Sequence, residues 1–199
     1  SYHGLCYPRT DVFGKDGRRW LAAQALSVTA SDERASLLRV LDALTPEIAA
    51  VSQTIETKAK ADETTQILMS IPGIGAFTAL VIIAEVGTFE RFPSPEKLAA
   101  FAGLVASSYS SGGKERFGRI TKRGSPHLRW AMIEVTTQVR PKWGALSEFY
   151  ERIKEKKGSK VARVALARKL LTVAWHLVKK KESFRTQSFV VRDSGSAKR

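Results

Sequence analysis

Apolar residues in this chain recur at intervals of three and four, and scarcely anywhere at intervals of two. Between Ser31 and Ala61, the residues Leu37, Leu41, Leu44, Ile48, Val51 and Ile55 fall 4, 3, 4, 3 and 4 positions apart. That is the spacing of a heptad seam along one side of an α-helix. Pro46 interrupts the run, and Thr45 before it is a residue type suited to an N-cap, so either two helices meet here or one helix kinks. The seam has two readings, an amphipathic helix packed inside its own domain or a coiled-coil arm that joins subunits. Further helical patterns cover 62–70, 76–86, 95–102, 126–140, 144–156 and 159–180, with a short helix near Trp20. The clearest is 126–140, where Ser125 is a candidate N-cap, Pro126 the first helical residue, and Leu128, Met132, Val135 and Val139 one face. Leu166, Leu170, Val173 and Leu177 form the stripe of the last helix. No segment alternates apolar and polar residues between hairpin turns, so the expected fold class is all-α, mostly helical.

Charge is spread unevenly. Residues 1–90 carry 8 Lys and Arg against 11 Asp and Glu, a net of −3, whereas residues 91–199 carry 25 against 8, a net of +17, which together recover the overall +14. A concentrated positive field attracts phosphate backbones, and its binding depends on salt through counterion release. A nucleic acid partner is therefore favoured over a merely solvated basic surface. The single cysteine, Cys6, excludes an internal disulfide framework and a multi-thiolate zinc site. No run of about 18 uninterrupted apolar residues occurs, so no membrane partner is expected. Ser1 to Arg19 lacks the charged-then-apolar order of a secretory leader, which makes a cytoplasmic location the expectation.

Two stretches carry chemistry. In the first, Ile71-Pro-Gly-Ile-Gly75 joins two helical patterns. Gly73 and Gly75 permit a sharp turn and a close approach of phosphate to the main chain, at a helix start whose dipole favours an anion. The segment resembles a helix-hairpin-helix DNA-binding motif, with Gly73, Ile74 and Gly75 as the candidate backbone grip; an ordinary helix–helix turn is the plainer alternative. It is not a dinucleotide fingerprint, because Thr78 stands where the third glycine would be.

In the second stretch, Ser107, Ser108, Ser110 and Ser111 precede Gly112 and Gly113, and six basic residues follow: Lys114, Arg116, Arg119, Lys122, Arg123 and Arg129. Taken alone, Ser-Ser-Gly-Gly is a flexible turn. A serine that attacks a phosphodiester needs access, a proton acceptor and cations around the developing charge on phosphorus. The glycines offer access and the basic residues offer charge, but no base is evident, with His127 the one histidine nearby in sequence. Other chemistries fall away. Gly113-Lys114 lacks the remainder of a P-loop, no Gly-x-Ser-x-Gly elbow occurs, and His3, His127 and His176 have no zinc spacing.

Four blocks of residues resemble the C-terminal part of the insertion-sequence 110 family of transposases, which includes the Piv/MooV-type DNA invertases. They are Asp11-Val-Phe-Gly-Lys-Asp-Gly-Arg18; Ile71-Pro-Gly-Ile-Gly75 through Glu85-Val-Gly-Thr-Phe-Glu-Arg-Phe92; Lys97-Leu-Ala-Ala-Phe-Ala-Gly-Leu104; and Tyr109-Ser-Ser-Gly-Gly-Lys114 through Lys122-Arg-Gly124 and Leu128-Arg129. The third and fourth together, at this spacing, are the specific ones. The resemblance implies a DNA recombinase in which an N-terminal RuvC-like domain holds Mg²⁺ on four carboxylates and a C-terminal domain supplies a serine that forms a phosphoserine link. It implies a helical arm used for multimer formation and, in some members, a guide RNA. Carried over, the nucleophile falls on Ser111, the serine preceding Gly112, with Ser110 the runner-up because the double serine shifts the match by one position. Here Ala106-Ser107 stands where family members have a Pro. No clustered carboxylates precede Ser31, so the chain looks like one part of a longer protein, with no cofactor of its own and Mg²⁺ expected in the RuvC-like part.

The expected organisation is a linker or loop (1–17), a helical arm (18–61), a compact transposase C-terminal domain (62–184) and a flexible tail (185–199). The expected function is the catalytic-serine domain of a DNA transposase, DNA its partner, working as a homo-oligomer at the bacterial or archaeal nucleoid. A non-catalytic nucleic-acid-binding module and an oligomerisation scaffold are the rivals.

Overall fold

The structure, a computed structural model, describes residues 6–111, 114–138 and 143–185; at 108–111, 114–117 and 119 it is the backbone that is described. Eight α-helices and one β-hairpin are found among these residues. By internal packing the chain divides into two units, Ser1–Ala50 and Val51–Arg199.

In the first unit, α1 (Lys15–Ala22) follows a turn in which the Asp11 carboxylate accepts hydrogen bonds from the N–H groups of Phe13 and Gly14, the latter at 2.8 Å. The guanidinium of Arg34 donates to the carbonyl oxygens of Leu21 and Gln24, and Arg18 pairs with Asp42. Helix α2 (Val28–Ala61) is continuous, with Pro46 inside it. One helix therefore spans the heptad seam. Leu37, Leu44, Ile48 and Val51 are all more than half exposed on it.

The second unit is built around α8 (Ser159–Lys180), whose Ala162, Leu166, Ala167, Leu170, Leu171, Val173 and Ala174 are buried. Packed on it are α3 (Glu63–Met69), α5 (Pro95–Phe101), α6 (Pro126–Thr137), α7 (Ala145–Lys157) and a 3-10 turn at Phe89–Arg91, while α4 (Ala76–Val86) packs on α3 and α6. Local chemistry sets the helix ends. The Asp62 carboxylate accepts from both the N–H and the hydroxyl of Thr65, at 2.7 and 2.6 Å, and so starts α3. Pro95 and Pro126 occupy the first turns of α5 and α6. Two long-range bonds close the unit: the Trp175 indole N–H donates to the Phe92 carbonyl at 3.1 Å, and the Phe184 N–H donates to the Ser70 hydroxyl at 2.8 Å.

The stretch read as a serine loop without strands is instead an antiparallel ribbon, β1 (Ala106–Ser111) and β2 (Lys114–Ile120). The expectation of no strands fails here because a two-stranded ribbon, only marginally stable by itself, is held at its root by the crossing of 101–105 with 121–125. It need not bury one face, so it leaves no apolar alternation to read. Two glycines between Ser111 and Lys114 were the available signal, since Gly-Gly is a favoured two-residue hairpin connection. The fold class remains all-α in character.

No helix of the described residues is long and apolar enough to cross a membrane. Val139, the last residue of the expected apolar face of α6, and residues 186–199 of the expected tail lie outside the described residues.

Candidate nucleic-acid interface

The turn between α3 and α4 separates the roles of its two glycines. Gly73 has φ +84°, and a Cβ there would lie 2.6 Å from Cη2 of Trp143 and 3.0 Å from Cγ1 of Val135. Core packing and backbone angle both demand glycine at this position. Gly75 is different: it is the N-cap of α4 with φ −93°, no side chain caps that helix, and a Cβ would meet nothing within 4 Å. The space above Gly75 opens onto the first N–H groups of α4, whose dipole favours an anion there. Ile74 is 5% exposed, and its N–H donates to the Ile71 carbonyl at 3.1 Å. Its side chain therefore seats the turn in the core beside Gly73, and Gly75 is the glycine that faces open space.

The ribbon register is Ala106↔Ile120, Ser108↔Phe117, Tyr109↔Arg116, Ser110↔Glu115 and Ser111↔Lys114, with one extra residue in β2 between Phe117 and Ile120. Neighbouring residues of a strand belong to opposite faces. Ser111, Lys114, Tyr109 and Arg116 therefore share one face of the ribbon, and Ser110, Glu115, Ser108 and Phe117 share the other. Arg119 lies at the irregular part of β2. The side chains of Ser110, Ser111, Lys114, Arg116 and Arg119 lie outside the described residues, as do Gly112 and Gly113.

The base of the ribbon is a tight crossing. Thr121 N–H donates to the Val105 carbonyl at 2.9 Å and Ser125 N–H to the Phe101 carbonyl at 2.8 Å. A Cβ on Gly103 would lie 2.6 Å from the Arg123 carbonyl oxygen, and one on Gly124 2.0 Å from that of Phe101. Arg129 braces the crossing, its Nη1 donating to the carbonyl oxygens of Ala102 at 3.0 Å and Lys122 at 3.2 Å. Lys122, with φ +54°, and Arg123 are exposed beside it. So the structure brings Lys122, Arg123 and Arg129 together at the ribbon base and places Gly73, Ile74 and Gly75 in a separate turn. His127 is exposed on the first turn of α6.

The expected N-cap of α6 is found at Ser125, whereas its bond to Glu85 and an aromatic contact escaped the sequence reading. Ser125 caps α6, accepting from Leu128 N–H at 2.9 Å, and its hydroxyl donates to the Glu85 carboxylate at 2.7 Å, which ties α4 to the ribbon base. Phe77 and Trp130 meet edge to face, their ring centroids 6.4 Å apart. Among the described residues no group of three or more His, Cys, Asp or Glu offers a donor set for a metal ion.

Residues 65–154, from within α3 to within α7, match the model of the family described as Transposase IS116/IS110/IS902. The sequence is thus that of a transposase domain. The transposase for insertion sequence element IS1111A of Coxiella burnetii is 34% identical over 176 residues, covering 83% of this chain and 47% of that protein. A probable family 20 transposase of Pseudomonas aeruginosa is 30% identical over 73% of this chain and 44% of its own length. The pilin gene-inverting protein of Moraxella bovis is 30% identical over 59% of this chain and 38% of its own. The chain belongs to the insertion-sequence 110 family of transposases. It spans about half the length, or less, of these curated relatives.

Proposed function

We propose that this chain is the serine-bearing half of a DNA transposase, in which Ser111 attacks a phosphodiester. The Ser111 Oγ–P bond forms as the P–O bond to one deoxyribose oxygen breaks. The proton lost from the serine ends on that departing oxygen, and attack by a new deoxyribose hydroxyl reverses the step and frees the serine. The observation that carries this reading is the ribbon register: Ser111 shares its face with Lys114 and Arg116, whereas Ser110 shares its face with Glu115. A transition state gathering negative charge on phosphorus is stabilised on the first face and opposed on the second. Arg119, Lys122 and Arg123 extend the cationic track, and Arg129 holds the crossing that aims the ribbon. Gly75, with Gly73 shaping its turn, grips a second stretch of phosphate backbone. Mg²⁺ enters the proposal as a cofactor of a RuvC-like domain outside this chain. A guide RNA and self-association through the α2 seam are part of the same proposal.

Strand transfer by the full-length protein carrying Ser111→Ala tests this. The expected result is loss of activity and of a protein–DNA link stable to SDS, with both retained in Ser110→Ala. The opposite pattern moves the nucleophile by one residue. DNA binding with no covalent link in the parent protein favours the non-catalytic binding module instead.

A further inference from the structure

Among the described residues of the second unit, the two most exposed aromatic side chains are Phe77 at 53% and Trp130 at 51%, and they touch each other. Large aromatic rings bury about 150–250 Å² when packed, so a pair left half exposed forgoes much apolar burial that a ligand could supply. The four-tryptophan chain handles its other indoles of this unit differently, with Trp143 buried against Gly73 and Trp175 bonded to Phe92.

Their position supplies the occupant. Helices α4 and α6 run antiparallel, since Glu85 meets Ser125, Phe77 meets Trp130, and Gly73 abuts Val135. Phe77 is the second residue of α4, directly after the open, uncapped N-terminus at Gly75. Trp130 follows Arg129 on α6, one turn beyond exposed His127, and Arg129 donates to the carbonyl oxygen of Lys122, which with Arg123 is exposed at the ribbon base. The aromatic pair therefore lies between two places where phosphate is favoured. At 1.5 Å per helical residue these are roughly 15 Å apart, the reach of two or three nucleotides.

We infer that Phe77 and Trp130 form a stacking platform for an unpaired nucleobase of a DNA strand whose flanking phosphates lie at the α4 N-terminus and the Lys122–Arg123 corner. Aromatic faces interleaved with cations are the physical signature of single-strand binding, because every base has a π face and every link a charge. In duplex DNA the bases are stacked on each other and cannot reach the pair, so the platform selects frayed, nicked or branched DNA. This rests on the reading that the domain meets DNA.

The test is fluorescence anisotropy with the 199-residue chain, an oligo-dT 15-mer and a 15-base-pair duplex, for the parent, Phe77→Ala, Trp130→Ala and Trp130→Phe, with folding checked by circular dichroism. The expected result is that each alanine variant binds the single strand roughly tenfold more weakly, on the scale of one base–aromatic stack. Duplex affinity stays within about twofold, and Trp130→Phe keeps most of the single-strand affinity. Photocrosslinking of 5-iodouracil DNA is expected to label the peptides of Phe77 or Trp130. Equal losses on both DNA forms, or no loss, overturn the platform while leaving DNA binding intact. Preference for the matching RNA strand overturns the assignment to DNA. A fall in solution mass for Trp130→Ala assigns the patch to a second copy of the chain and overturns it too. Failure of the parent to bind either DNA overturns the proposed function and this inference with it.

Discussion

Substituting alanine for each glycine of the α3–α4 turn separates the residue the fold requires from the residue a ligand requires. At Gly73, alanine must adopt φ +84°, and its methyl would lie 2.6 Å from the Trp143 ring and 3.0 Å from Val135. The left-handed backbone costs about 1–2 kcal/mol and the overpacking about 1–3 kcal/mol. A working value is about 3 kcal/mol, which for a domain of this size lowers Tm by roughly 6–12 °C. At Gly75 the backbone is ordinary and the space is empty, so the loss is limited to the poorer N-cap preference of alanine, no more than about 1 kcal/mol. DNA binding is expected to show the converse. Gly75→Ala places a methyl over the helix N-terminus and weakens duplex affinity several-fold while lowering Tm by no more than about 4 °C. Thermal melts by circular dichroism, paired with anisotropy below the transition, measure both. Equal destabilisation by the two substitutions would refute the division of roles. So would a stable Gly75→Ala protein that binds DNA as the parent does.

Ser125→Ala removes the α6 cap and the donor to Glu85, and is expected to cost about 2–3 kcal/mol, read as a lower urea midpoint at unchanged m, with Ser125→Thr recovering much of it. The carboxyl of Glu96 is held below its ordinary value of 4.5, first by a hydrogen bond from the Ser94 side chain and then by its own backbone N–H. Because the folded-state value is lowered, the associated stability is present above the ordinary value and lost as pH falls through the folded one. The group is almost fully exposed, so the effect on stability is small, and the sharper measure is an NMR titration in which Ser94→Ala moves Glu96 upward. Ile48→Glu on the exposed α2 seam is expected to leave helix content unchanged and to lower the solution mass by light scattering; an unchanged mass would remove the seam from self-association.

Helices α3 to α8 were legible in the sequence because their ends are written in local chemistry: Asp62 before α3, Pro95 and Pro126 within first turns, Gly158 before α8. The continuity of α2 through Pro46 was not, because a proline removes one hydrogen bond and a long helix absorbs that loss. The ribbon was hidden because its ladder needs no apolar face. The Ser125–Glu85 bond joins residues 40 positions apart, a separation no local pattern encodes. Phe77 was unreadable for a different reason. Helix α4, Ala76-Phe-Thr-Ala-Leu-Val-Ile-Ile-Ala-Glu-Val86, is apolar on nearly every side, so its sequence does not say which face the core takes. The proposed catalytic serine rests on residue types and family likeness; what the ribbon's register adds is that Ser110 and Ser111 belong to opposite faces.

A hydroxyl at the end of a paired arm behaves unlike one on a rigid wall. The arm from Ala106 to Ser111 is about 20 Å long at the usual rise of about 3.3 Å per residue, and its root is the Gly103–Gly124 crossing braced by Arg129. Tilting such a lever by about ten degrees at the root swings its tip by about 3 Å, the difference between contact with a phosphorus atom and none. Under the proposed function, whatever grips the tip thereby sets the reactivity of Ser111.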